Sequence, residues 1–454
     1  MDSNPTQSIA AASVPVEPPP RLFSTAIALT LVTRLLMLAG ALGTSIIVAH
    51  WLGAGGLGSL AVINVTVALA VQLGCAGLPS ANTYYISQDR RNLGKIWSNS
   101  LLFAILAGTS IAVGIMLVAR FRPTVFGSVP ASLITIAALS VPFQLLTLLG
   151  LNVFLAIGQI DRFNLTDAAT QLTLLLNAVF VLVVFGTGLY ELVSVNTATA
   201  ILVGVIVVLM VHSAVRKTDT KSSWFDWEIF RRMIRYGVKF HICVVAAIVI
   251  VRADLLMVNN FRGPAEAGVY AVAGQMASLL VLLPGIVATL LFPRVAAAPD
   301  PSAHLTMRVT RHIAFVMFFV CLGAVAFAFA LPLIYGPSFT NSTLQLLILI
   351  PGVYLFGIEA VLVQHFTGSG LPLALPVFWL ISLLINLAFN FVLIPDYGAT
   401  AAAVVSTATY ALIFALVAVY FRVKTGNALT TALVLRPDEA RQLLSPARLG
   451  FFSE

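Results

Sequence analysis

The chain has 454 residues, 59% of them hydrophobic and only 9% charged, against about 25% charged in soluble domains. That balance excludes a soluble enzyme or a nucleic-acid-binding domain and marks a membrane protein. The formal net charge of +8 comes from basic residues gathered in the gaps between apolar runs, where they report topology.

The first segment, MDSNPTQSIAAASVPVEPPP, has five prolines and no Lys or Arg. It lacks the basic start of a signal peptide and reads as a disordered cytoplasmic tail over 1–20. Apolar runs then follow at 23–48, 57–79, 96–119, 129–156, 166–188, 192–213, 232–257, 265–291, 309–333, 341–365, 371–394 and 399–421. Each has the roughly 20 residues that a membrane-crossing helix needs, and none keeps the period of two of a membrane strand. The pattern predicts an all-α polytopic membrane protein of about twelve transmembrane helices. Only GTGLYELVS separates the fifth and sixth runs, so eleven is the alternative count.

Lys and Arg exceed Asp and Glu in the second gap (DRRNLGK), in the sixth gap through Arg235 and in the eighth gap, and Arg422 and Lys424 follow the last run. Arg120 and Arg122 in the third gap argue the other way. The weight of the basic residues puts both termini in the cytoplasm.

The longest polar stretch between runs, VRKTDTKSSWFDWEIFRRMIRYG, lies at the midpoint. Trp224, Trp227, Phe230 and Ile234 recur at helical spacing with the charges off that stripe, as in a helix lying at the membrane interface. It divides the chain into a first lobe at 21–213, an amphipathic cytoplasmic connector at 214–231, a second lobe at 232–421 and a cytoplasmic tail at 422–454. Internal similarity supports two lobes. GAGGLGSLAV from Gly53 matches GPAEAGVYAV from Gly263 at its first and sixth glycines, 210 residues apart, and Asn177 and Asn386 fall late in a second, looser pair of segments. An offset of six helices relates two six-helix lobes by a pseudo-two-fold axis along the membrane normal, with a cleft between them.

Arg34 interrupts the first run at LVTRLLMLAG, where a charge at the helix centre costs about 2.5–3.5 kcal/mol on insertion scales. It reads as the deepest of three basic residues, with Lys239 a third of the way into the seventh run and Arg252 nearer its outer end. Lining a cleft, the three would favour an anionic ligand. Asp254 lies two residues from Arg252, too far around a helix for simple neutralisation. Glu359, ionisable and within LFGIEAVLVQHF, is a candidate for cation or proton coupling, or a structural carboxylic acid. Asn64, Gln72, Gln144, Gln171, Asn177, Gln275, Asn386 and Asn390 read as helix-to-helix glue. Cys75, Cys243 and Cys321 stand far apart inside apolar runs and form neither a metal spacing nor a disulfide framework. GAGGLG lacks a preceding strand and a lysine, so it is no nucleotide loop. The chain thus predicts no catalytic residues, metal or cofactor, and its driving force would be an ion gradient, the membrane potential or product consumption.

Three segments together, WLGAGGLGSLAVINVTVALAVQLGCAGLPSANTYYIS, FRGPAEAGVYAVAGQMASLLVLLPGIVATLLFPRVA and LINLAFNFVLIPDYGATAAAVVSTATYAL, resemble the polysaccharide biosynthesis flippases of the multidrug/oligosaccharidyl-lipid/polysaccharide exporter superfamily. The resemblance covers about residues 21–424. It implies a MATE/MOP-like transporter in the bacterial inner membrane that moves undecaprenyl-pyrophosphate-linked oligosaccharide from the cytoplasmic to the periplasmic leaflet by alternating access. Its partners would be membrane lipids, a polysaccharide polymerase and a chain-length regulator, with no nucleic acid. Arg34, Lys239 and Arg252 would bind the substrate, with Asp254, Glu359 and Asn386 in coupling or structural roles. The alternatives are a cation-coupled multidrug or small-solute exporter, which needs anionic groups in the cleft, and a membrane glycan polymerase or ligase, for which the outer gaps are short.

Overall fold

The computed structural model describes residues 20–217, 225–297, 303–368 and 372–428, with Leu433. The tail of residues 1–19, Trp224 and most of the C-terminal tail lie outside the described residues. In chain order the helices of the first half are α1 (Pro20–Gly74), α2 (Leu78–Gln88), α3 (Leu93–Phe121), α4 (Ala131–Ala138), α5 (Val141–Ala156), α6 (Ile160–Ala178) and α7 (Leu189–Arg216). Those of the second half are α8 (Trp227–Arg262), α9 (Pro264–Ala297), α10 (His304–Ala328), α11 (Leu331–Tyr335), α12 (Thr340–Leu362), α13 (Gln364–Gly368) and α14 (Ala374–Thr425).

Ten helical segments among the described residues are long and apolar enough to cross a membrane. Two of them, Val32–Gly74 and Ala374–Thr425, have 43 and 52 residues, each enough for two crossings of roughly 20 residues. Both change direction at a glycine: Gly53 has φ 67° and ψ −173°, and Gly398 has φ 61° and ψ −148°. The fifth and sixth apolar runs are separate segments, Ile160–Val184 and Leu189–Arg216. Helices suit this sequence because every backbone N–H and C=O must be satisfied internally in lipid.

The glycine pair found in the sequence has a conformational basis. Gly263, between α8 and α9, has φ 90° and ψ 172°, close to Gly53 at the matching position, and that region of backbone space is open essentially to glycine alone. Helix pairing repeats in the same way. In the first half α1 packs on α6, α3 on α5 and α5 on α7; in the second α8 packs on α14, α10 on α12 and α12 on α14. The asparagines repeat their hydrogen bonds as well: Asn177 Nδ2 donates to Thr199 Oγ1 at 2.9 Å and Asn386 Nδ2 to Thr409 Oγ1 at 3.0 Å. Here the glue reading describes what both residues do.

The halves touch at both ends of the bundle. Just past the glycine turns, Gly58 packs on Gly268. Nearby, Asn259 Nδ2 of α8 donates to the carbonyl of Phe126 at 2.8 Å, and Ser45 of α1 bonds Tyr335 of α11 at 2.7 Å. At the opposite end Gly77 lies against Gly237, and the rings of Tyr84 and Tyr236 stack at 4.3 Å. The described end of the connector, from Trp227, is continuous with α8. Trp227, Phe230 and Ile234 occupy the first turns of α8, which runs unbroken for 36 residues. Asp226 caps that helix, accepting from the Ile229 N–H at 3.1 Å and from Lys95 Nζ of α3 at 2.9 Å. Asn99 holds the same residue by its backbone, donating to its carbonyl and accepting from its N–H, both at 2.9 Å.

Candidate translocation cavity

Between the halves lies a cavity of about 1040 Å³, lined by α1, α4, α5, α6 and α7 on one side and α8, α9, α12 and α14 on the other. That is the top of the range usual for small-molecule sites, so a sizeable polar head group fits. Its wall is mostly apolar, interrupted by hydroxyl and amide side chains, among them Thr44, Ser45, Asn64, Gln144, Gln171 and Asn196. Among the described residues, the charged groups of the lining are Arg252 and Asp254.

These two neighbours on α8 have opposite surroundings. Arg252 is exposed to the cavity. Asp254 is 3% exposed and is held by three donors: the Tyr270 hydroxyl, Ser406 Oγ at 3.0 Å and the backbone N–H of Leu255 at 2.7 Å. The two-residue separation sends their side chains to different sides of the helix, so one faces the lumen while the other joins α8 to α9 and α14. Sequence reading passed over Tyr270 and Ser406 because a single hydroxyl in an apolar run carries no signal until its partner is known.

Arg34 is placed differently from the sequence reading. Its Nη1 donates to Asp167 Oδ2 of α6 at 3.0 Å and its guanidinium lies 5.7 Å from the Phe163 ring centre. The side chains of the pair are 34% and 27% exposed. Arg34 is not among the lining residues; Leu38, one turn further along α1, is. It stands nineteen residues before the Gly53 turn, or about 28 Å along a helix, whereas Arg252 stands eleven residues before the equivalent Gly263, or about 16 Å. Arg252 thus stands nearer to its glycine turn than Arg34 does, and of the two only Arg252 lines the cavity. Asp167, in DRFNLTDAA, was overlooked, although an acid two turns into an apolar helix needs a partner as much as Arg34 does.

Lys239 lies on α8, and its side chain falls outside the described residues. Glu359, on α12, is 2% exposed, outside the cavity lining, and its Oε1 has no hydrogen-bond partner. Asn386 is fully buried and also accepts from Asn390 Nδ2 at 3.0 Å. Of the five site residues whose side chains are described, Arg252 and Asp254 share the cavity and the other three are dispersed. No group of three or more His, Cys, Asp or Glu side chains that could hold a metal ion occurs among the described residues.

The family described as "Polysaccharide biosynthesis protein" matches residues 47–343, more than half of the chain. The chain belongs to that family. The solved structures that resemble the chain agree on its fold. The lipid II flippase MurJ in an inward closed conformation is 15% identical, with a TM-score of 0.68 over 95% of this chain and 94% of that one. An inward-facing multidrug resistance MATE family transporter of the MOP superfamily is 14% identical, with a TM-score of 0.67 over 88% and 98%. Its outward-facing counterpart is 13% identical and scores 0.63 over 88% and 95%. No curated protein matches the chain. At these identities the structures establish a MATE/MOP-like fold and nothing of the cargo.

Proposed function

We propose that this member of the polysaccharide biosynthesis protein family is a flippase. It moves undecaprenyl-pyrophosphate-linked oligosaccharide from the cytoplasmic to the periplasmic leaflet of the bacterial inner membrane, for surface polysaccharide assembly. The observation that carries the reading is a large cavity shared by two pseudo-symmetric halves, with Arg252 as its one lumen-facing cation among the described residues. Counting the two bent helices twice gives twelve crossings in two six-helix lobes, with both termini cytoplasmic. Alternating access would exchange the contacts at the two ends, Gly58 with Gly268 and Gly77 with Gly237.

A pyrophosphate crossing a low-dielectric layer needs a guanidinium partner, since desolvation of an unpaired anion is prohibitive and arginine offers a bidentate fork. Arg252 supplies it inside the cavity. Arg34 and Lys239, on the approaches, would receive the head group on its way in, Arg34 by exchanging Asp167 for phosphate. The polyprenyl chain needs no protein cavity because it stays in lipid. Coupling to an ion gradient or the membrane potential would act through Asp254 or Glu359, and the polymerase and chain-length regulator would act on the product.

The test is translocation of a pyrophosphate-linked saccharide in proteoliposomes, normalised to inserted protein. Arg252→Gln should insert normally and lose most of the rate, while Arg252→Lys should retain part of it. Wild-type transport by Arg252→Gln would defeat this reading, and transport of cationic drugs in place of the saccharide would favour the exporter.

A further inference from the structure

We propose that the glycan carried through the cavity is uncharged, and that amide side chains of the first lobe read its hydroxyl and acetamido groups. The proposal rests on the flippase reading above and adds the chemical class of the head group.

The first support is charge. The lining holds one cation and one carboxylate among the described residues, and the carboxylate, Asp254, is already occupied by the hydroxyls of Tyr270 and Ser406. Among the described residues Arg252 is therefore the one lumen-facing positive charge, and the pyrophosphate alone carries more negative charge than it offsets. A uronate or other acidic substituent would enter the same mostly apolar-walled space without a cationic partner among the described residues, beside the Asp254 carboxylate. Leaving an anion unpaired there is strongly unfavourable. Arg34 already answers Asp167. The α8 backbone places Lys239 thirteen residues from Arg252, about 20 Å along the helix, too far to serve one sugar ring beside the pyrophosphate.

The second support is where the neutral polar groups lie. Asn64, Gln72, Gln144, Gln171 and Asn196 all come from the first lobe and all line the cavity. A side-chain amide offers donors and an acceptor at once, which suits sugar hydroxyls that both donate and accept. Neither Asn64 nor Gln171 makes a side-chain hydrogen bond to another described residue; Asn64 is exposed to the cavity, and Gln171 lines it where its side chain packs over Gly40 of α1. The repeat makes the bias visible. At the positions 210 residues beyond Asn64, Gln72 and Asn196, the second lobe has Gly274, Leu282 and Ser406. Gln275 is the amide the second lobe contributes. A symmetric scaffold that keeps its amides on one side and its cation on the other fits an asymmetric head group, with sugar against the first lobe and phosphate against the second.

The experiment compares two polyprenyl-pyrophosphate-linked glycans of equal length in proteoliposomes, one of neutral hexoses and N-acetylhexosamine, the other with one hexose replaced by hexuronate. The neutral glycan should cross roughly tenfold faster or more, the equivalent of about 1.4 kcal/mol or more. Asn64→Leu and Gln171→Leu should slow the neutral glycan without lowering the amount of inserted protein, and Gln171→Arg should raise the hexuronate rate. Equal rates for the two glycans, or a faster hexuronate, would overturn the proposal while leaving the flippase reading intact. Failure of both glycans would remove the flippase reading, and this inference with it.

Discussion

Gly58 and Gly268 face one another across the boundary between the two halves, and the relation is reciprocal. A Cβ on Gly58 would lie 1.7 Å from the carbonyl oxygen of Pro264, and one on Gly268 would lie 2.0 Å from that of Ala54. Since 264 and 268 are 54 and 58 shifted by the 210-residue repeat, the contact is the isologous kind made about a two-fold axis. Backbone against backbone leaves no flexible atom to give way.

Either Gly58→Ala or Gly268→Ala should therefore destabilise this end of the bundle, by about 1–3 kcal/mol as overpacking generally does. Gly55, one turn earlier, has open space around it, and Gly55→Ala should leave stability unchanged or slightly raised. Thermal unfolding of the three variants in detergent separates them. A loss for Gly55→Ala as large as for Gly268→Ala would show that helix propensity, not the inter-half contact, sets the response.

The opposite end should respond to acid. Asp226, outside the spans, has its carboxyl held below the usual carboxylate range, chiefly by the hydrogen bond from Lys95 and then by that from the Ile229 N–H. A folded-state value below the unfolded one adds stability that is present above the unfolded value, near 3.9, and is lost as pH falls through the folded value. Wild type should exceed Asp226→Asn in melting temperature at neutral pH, with the difference closing below about pH 4. A difference that is constant across that window would assign the effect to the cap geometry instead of the charge.

Much of this architecture is legible in sequence because the membrane imposes it. Apolar length marks the crossings, and Gly53 and Gly263 mark the turns between them, since their backbone conformation admits little else. What the sequence conceals is pairing. Arg34 and Asp167 are separated by 133 residues, and nothing local to LVTRLLMLAG points to α6. Asn64 and Gln171 belong to the same difficulty: an amide in a span reads as glue until the helix face it occupies is known.

Asn386 offers a test of where glue does operate. It is fully buried, donates to Thr409 and accepts from Asn390, whereas the repeat-related Asn177 is half-buried. Asn386→Leu would strand the Asn390 amide in the interior, at about 1–3 kcal/mol. Asn177→Leu, near the lumen, should cost less. Unfolding in detergent checks the order, and equal losses would contradict the difference in burial.

The pair of Arg34 and Asp167 permits a decision between structure and transport. If the guanidinium serves only to neutralise Asp167, the exchanged double variant, Arg34→Asp with Asp167→Arg, should recover both stability and rate. If Arg34 also receives the pyrophosphate, as proposed above, the exchange should recover stability alone, because the cation would then project from α6. The pair is about one-third exposed on each side, so its coupling in a double-mutant cycle should be modest, about 1 kcal/mol. Arg34→Ala should slow transport by more than that coupling explains, whereas Asp167→Asn frees the guanidinium and should hold or raise the rate. Proteoliposome rates set beside melting temperatures for the same variants provide the check. Full recovery of rate in the exchanged variant would confine Arg34 to packing and leave Arg252 as the cation that the pyrophosphate meets.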